Sequence, residues 1–233
     1  MKLNPLDLLD YLKSKDINFL YHANTVATAA TFIEQQGLLS RGAVEDFGLY
    51  QTPQSSDAID QKYNVWYDIF LDSVDLHKRF NRQNHYGPVL FKFDVDLLSS
   101  SSLPELWVTK DNPIRWHDGQ TDVDRYFQNF DEFKETYTKG AYREMITLRF
   151  TKDAFPFEPY LKEIILDDPS VRISDLVIGS EARKILTSAI KNCPFIIDNV
   201  TRTLRKCDNC FCHDNYLNQV GVSRLKESFL IEK

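Results

Sequence analysis

No apolar run approaches the ~20 residues of a membrane-spanning helix, and the opening Met1-Lys2-Leu3-Asn4-Pro5-Leu6-Asp7 lacks the apolar stretch of a secretory signal. These absences set the expectation of a cytoplasmic protein without a membrane partner. Also missing are a Gly-x-Gly-x-x-Gly fingerprint, a P-loop, a Gly-x-Ser-x-Gly nucleophile elbow and an EF-hand loop. Dinucleotide-fold dehydrogenase and P-loop nucleotidase readings therefore have little support. A basic excess is lacking as well: 28 Lys and Arg against 34 Asp and Glu leave a net charge of −6, which argues against a nonspecific coat for nucleic acid.

What is present belongs to a folded globular protein: 233 residues, 42% hydrophobic and 13% aromatic. Sixteen Phe, eleven Tyr and three Trp predict a core of large rings, some with polar edges available for stacking. The length fits one domain with a small appendage, divided here into residues 1–180 and a helical, Cys-rich extension over residues 181–233, packed on the first. Between Glu181 and Cys207, six basic residues (Arg183, Lys184, Lys191, Arg202, Arg205, Lys206) face Glu181 and Asp198. That local excess reads equally as a phosphate-facing patch or as ordinary solvated faces.

Asn4 and Pro5 make an N-cap and first-turn pair, with Leu6, Leu9 and Leu12 at helical spacing to about residue 15. Residues 18–23 read as a strand, and 25–36 as a helix that packs Ala27, Ala30 and Ile33 and stops at Gly37. Residues 42–64 have no clean periodicity and read as a loop. Residues 65–80 fit either a helix with Asp68, Asp72, Asp75 and Arg79 on one face, or a strand in which Trp66, Asp68, Phe70 and Asp72 share a side. The aspartates read as a solvated acidic face. Strands are expected at 88–98 and 161–166, and helices at 123–136 and 180–191. Short strands, irregular loops and a few helices make the class α+β rather than doubly wound.

Two positions draw chemical interest. Residues 142–150 alternate, so Glu144, Ile146, Leu148 and Phe150 share one face of a strand. A carboxylate at the mouth of an apolar face must be paired, protonated or turned into a cleft. The plainer reading is a strand-end Glu in water or paired with Arg143 or Arg149. His22 shares a face with Leu20, opposite Phe19 and Tyr21, and reads either as a site residue or as a hydrogen-bonded packing residue.

In order along the chain come Tyr21-His22, a helix closing on Gly37-Leu38-Leu39-Ser40, a strand over residues 89–95, and Arg143-Glu144-Met145-Ile146 ahead of Phe155-Pro156. This ordered set resembles the split active site of DarT-like ADP-ribosyltransferases, the prokaryotic toxin and defence type that includes CmdT-like enzymes, over roughly residues 18–167. The resemblance implies an ADP-ribosyltransferase-like catalytic domain, a split mixed sheet with flanking helices. It also implies cleavage of the nicotinamide–ribose bond of NAD through an oxocarbenium-like state that a carboxylate stabilises. In that reading Glu144 is the catalytic carboxylate and the base toward the acceptor. His22 is catalytic and hydrogen-bonds the NAD ribose beside Tyr21, Asn24 and Thr25 position the nicotinamide side, and Arg41 meets the pyrophosphate.

Where the family has an Asn-Pro-Arg-like stretch, residues 68–82 offer no equivalent; Arg79 is the first replacement cation and Arg82 the second. The implied acceptor is a nucleic acid, RNA or single-stranded DNA, recognised through base stacking. The implied setting is a toxin or anti-phage effector with an antitoxin or other regulatory protein as partner.

Cys207, Cys210 and Cys212 lie between Cys193 and His213. Thiolates at this spacing can share a zinc ion, with Cys193 or His213 completing four ligands; the other reading is a set of reduced packing cysteines. A second functional class follows, a noncatalytic nucleic-acid-binding module. In it the Cys cluster and the basic residues between 183 and 206 do the binding, and His22 and Glu144 are structural.

Overall fold

A computed structural model describes residues 2–231. Asn4 caps helix α1 (Pro5–Ser14) by accepting the Leu6 N–H at 2.9 Å, and the helix buries Leu8, Leu9 and Leu12. Strand β1 (Phe19–Asn24) runs into Thr25, the N-cap of α2 (Val26–Glu34). Small Ala and Thr side chains let α2 bury every residue from Val26 to Ile33. Its left-handed stop is Gln36 (φ 53°) rather than the expected Gly37. Gly37 opens β2 (Gly37–Leu38) instead, and a Cβ there would lie 2.6 Å from the Phe155 carbonyl oxygen.

The stretch read as a loop holds two one-to-two-turn helices, α3 (Arg41–Asp46) and α4 (Asp57–Lys62), too short to show a period. Residues 65–80 follow neither single-element reading. They give β3 (Ile69–Leu71) and then α5 (Leu76–Phe80), because the Asp75 side chain accepts the Lys78 N–H and starts a new helix. Strand β4 (Val89–Asp94) ends in a 3-10 turn before residue 98, and β5 (Glu105–Val108) follows. The helix expected at 123–136 is broken into α6 (Asp122–Arg125) and α7 (Phe130–Thr136), since Asn129 caps the second by accepting the Glu132 N–H at 2.9 Å.

Next come β6 (Ile146–Arg149), β7 (Phe155–Pro156) paired with β2, β8 (Leu161–Asp168), and a short hairpin of β9 (Arg172–Ile173) and β10 (Leu176–Val177). The chain closes with α8 (Ile178–Ile190), α9 (Pro194–Asn199), β11 (Thr201–Lys206), α10 (Cys212–Asn215) and α11 (Val222–Phe229). The boundary expected at 180/181 falls inside α8.

The result is an α+β arrangement with a split mixed sheet. One half, ordered β1-β4-β8-β11, is antiparallel except for the parallel β8–β11 pair; the other, β3-β6-β5, is antiparallel. A single bridge joins them, with the Tyr21 and Asp72 backbones exchanging two hydrogen bonds of 2.8 Å. Helices α2 and α8 pack together, and Leu20, Phe91, Phe93 and Phe157 fill the core. No helix among the described residues is long and apolar enough to cross a membrane.

Candidate active site

A cleft opens where the two half-sheets meet, walled by His22, Asn24, Arg41, Asp60, Asp68, Phe70, Asp72, Tyr86 and Met145 among others. His22 Nδ1 lies 2.9 Å from the Phe70 carbonyl oxygen, which can only accept, so Nδ1 carries the proton. Burial lowers the imidazole pKa and keeps the ring neutral at pH 7. Its Nε2 is therefore a bare lone pair, buried and without a hydrogen-bond partner. Asn24 Oδ1 accepts the Thr25 N–H at 2.9 Å and the Gln54 amide at 3.4 Å. Arg41 Nη2 donates to Asp57 Oδ2 at 2.8 Å and to the Thr52 carbonyl at 3.2 Å, while Nη1 is buried without a partner.

Asp60, Asp68 and Asp72 line the acidic wall, and Asp68 and Asp72 are not the solvated groups expected. Asp68 and Asp72 are buried because the β3 pleat turns them, with Phe70, into the cleft. The strand alternative for residues 65–80 carried that signal. Asp68 forms an ion pair with Arg149 at 3.0 Å, off the N–H axis, and accepts the Phe150 N–H at 3.1 Å; burial still pushes its pKa up to about 6. Burial also raises Asp60 to about 6, although Ser56 Oγ donates to it at 3.1 Å. Asp72 has an Oδ1 with no partner, and burial alone raises its pKa to about 8, leaving the carboxyl protonated at neutral pH. Asp75, the third aspartate of that segment read as solvated, is also buried and pairs with Arg205.

Glu144 is not on a strand. It sits in a bend two residues before β6, whose pairing to β3 and β5 starts at Ile146. The expected one-sided burial fails too: Ile146, Thr147, Leu148 and Arg149 are all buried, and Phe150 turns outward at φ 58°. Glu144 is half-buried, its Oε2 lacks a hydrogen-bond partner, and desolvation raises its pKa to about 7. It does not wall the cleft, although the adjacent Met145 does.

Other sequence candidates lie elsewhere. Tyr21 and Arg79 share a shallow depression with Asp75 and Lys78 on the face of β1 opposite His22, so neither reaches the cleft. Thr25 is buried in packing, donating to Thr52 Oγ1 at 2.7 Å. Cys207, Cys210 and Cys212 converge, but on His77 rather than on Cys193 or His213. Cys193 Sγ donates to the Ile33 carbonyl at 3.1 Å, and His213 Nδ1 to that of Pro169 at 2.9 Å.

Adjoining the cleft is a groove walled by Phe80, Arg82, Tyr142, Arg143, Arg115 and Arg224, with Tyr86 and Asn112 shared between the two. Phe80 and Tyr142 meet edge to face at 4.9 Å and are partly exposed. This second feature was not singled out in the sequence, because its residues come from five separate segments.

No protein-family model matches the chain, and no curated protein matches it. Among solved structures it is similar to Thermus sp. 2.9 DarT in complex with ADP-ribosylated ssDNA, at 12% identity and a TM-score of 0.47, over 83% of this chain and 96% of that one. It is likewise similar to the same DarT in complex with NAD+ (11%, 0.45, 82% and 96%) and with carba-NAD+ (13%, 0.44, 83% and 97%).

Proposed function

We propose that the chain is an NAD-dependent ADP-ribosyltransferase that modifies a nucleic acid. The observation that carries the reading is the bare Nε2 of a neutral, buried His22 turned into a cleft beside an unpartnered Arg41 Nη1 and carboxyls of raised pKa. NAD offers what these atoms lack: ribose hydroxyls that donate to Nε2, and pyrophosphate oxygens that accept from Nη1. Its cationic nicotinamide ring suits the Asp60 and Asp68 wall. Bound NAD supplies a glycosidic bond already primed to break.

His22 and Asn24 orient that bond. Glu144, with a pKa near 7, is matched to steady positive charge at the ribose when ionised and to take a proton from the acceptor. It lies outside the cleft wall, so this role requires the bend at 142–144 to turn it inward. The acceptor lies in the adjoining groove, where Arg82, Arg115, Arg143 and Arg224 meet phosphates and Phe80 and Tyr142 stack on bases. A toxin or anti-phage setting with a regulatory partner follows from the family resemblance alone.

In the noncatalytic binding-module reading one cation of the basic stretch is lost, because Arg205 is already committed to Asp75 and Asp167. The test is nicotinamide release from NAD, with single-stranded DNA or RNA present, by wild type, His22→Ala and Glu144→Gln, each checked for folding by circular dichroism. Release by wild type that both variants lose supports the proposal. No release by folded wild type with either acceptor refutes it.

A further inference from the structure

The Cys cluster stands apart from the cleft and has its own geometry. Cys207 follows the last residue of β11 and continues its pairing, donating its N–H to the Asp168 carbonyl at 3.0 Å. Cys212 opens α10, Cys210 lies in the turn between them, and His77 comes from α5. One ligand atom from each of the four lies within 4.8 Å of every other, and Cys212 Sγ is 3.6 Å from His77 Nε2. A tetrahedral zinc ion with Zn–S near 2.3 Å and Zn–N near 2.0 Å needs edges of about 3.4–3.8 Å. Closing the set around an ion therefore asks for inward shifts of about 1 Å or less.

The imidazole is oriented for ligation. Its Nδ1 donates to Asp167 Oδ2 at 2.5 Å, which aims Nε2 at the thiols and makes it the ligating nitrogen once the ring and the thiols give up their protons to solvent on metal binding. Asp167 is held in turn by Arg205, whose other partner is Asp75, the cap of the helix that carries His77. A carboxylate behind a ligating histidine is the arrangement that fixes its tautomer and raises its basicity at zinc sites. The Phe211 N–H adds a bond of 2.9 Å to the Asn81 carbonyl, drawing the Cys-bearing turn onto the end of α5.

We propose that His77, Cys207, Cys210 and Cys212 bind one zinc ion as a closed structural site that fastens α5 to the C-terminal segment. Three thiolates and one imidazole fill a tetrahedron and leave no open position, so the ion has no catalytic role. Leu76, Phe80 and Arg82, on and just after α5, wall the basic groove, so the ion braces that wall. The inference is independent of the transferase reading.

The test is metal analysis of the untagged full-length chain, with thermal melts before and after a strong zinc chelator. About one zinc per chain is expected, with a lower melting temperature on chelation. Cys210→Ser, at the least buried ligand, is expected to lose the metal and the chelator effect. Cys193→Ser and His213→Ala are expected to keep both. Asp167→Asn is expected to weaken zinc affinity about 10- to 100-fold, an effect that packing cysteines would not show. A folded wild-type chain without zinc, a disulfide among the three cysteines, or iron with visible absorbance in place of zinc would each overturn the proposal.

Discussion

Asp72→Asn isolates the most perturbed carboxyl of the cleft. Asp72 is buried, its Oδ1 has no partner, and its pKa is raised to about 8 by desolvation alone. An aspartate in the unfolded chain titrates near 3.9. An acid whose folded pKa lies above its unfolded value leaves the folded state holding the extra proton between the two, so stability falls as pH rises through that window. Four units at ~1.36 kcal/mol each put the full cost at roughly 5 kcal/mol above pH 8. Asn keeps the shape and cannot ionise. The variant should lie within about 1 kcal/mol of wild type near pH 4.5 and be more stable near pH 8.5, by roughly 3–5 kcal/mol or a melting temperature roughly 6–20 °C higher. Paired urea and thermal melts at the two pH values measure this, and Asp60, Asp68 and Glu144 titrate in both proteins and so cancel in the difference. An equal difference at both pH values, or a variant less stable at the higher one, would refute the burial argument.

Two further outcomes follow. Gly87 adopts φ 146°, and a Cβ there would lie 2.2 Å from the Asn24 carbonyl group, so Gly87→Ala should cost at least about 2 kcal/mol in urea unfolding. Arg82→Ala and Arg143→Ala, in the groove beside the cleft, should each weaken binding of single-stranded DNA or RNA and lower the slope of log affinity against log salt by about 1 for each phosphate left without its cation; titrations at several salt concentrations give the slope.

Elements with their own local signals were legible in the sequence. Asn4-Pro5 marked α1, and the runs at 18–23, 161–166 and 180–191 marked β1, β8 and α8 within a few residues. His22, Asn24 and Arg41 were named and do wall one cleft. What escaped depends on tertiary context. Whether Asp72 faces water is set by the pleat of a three-residue strand and by Tyr21, its bridge partner from β1. Glu144 looked like a strand residue because its segment alternates, yet the ladder ends where its partners end. Tyr21 and Arg79 were expected at the cofactor; the alternation already legible along residues 19–22 puts Tyr21 on the face away from His22, and the packing of α5 puts Arg79 in the depression on that side. His77 had no local reason to be linked with cysteines from the far end of the chain; only the packing of α5 against the segment after β11 brings them together.

The central claim is tested most directly by incubating labelled NAD with the purified chain and, separately, single-stranded DNA, RNA and a protein lysate, beside Glu144→Gln. The predicted result is label on a nucleic acid, DNA or RNA, that disappears with Glu144→Gln while the variant stays folded. Label on protein alone would contradict the acceptor, transfer that survives Glu144→Gln would contradict the catalytic carboxylate, and no transfer to any acceptor would contradict the transferase reading itself.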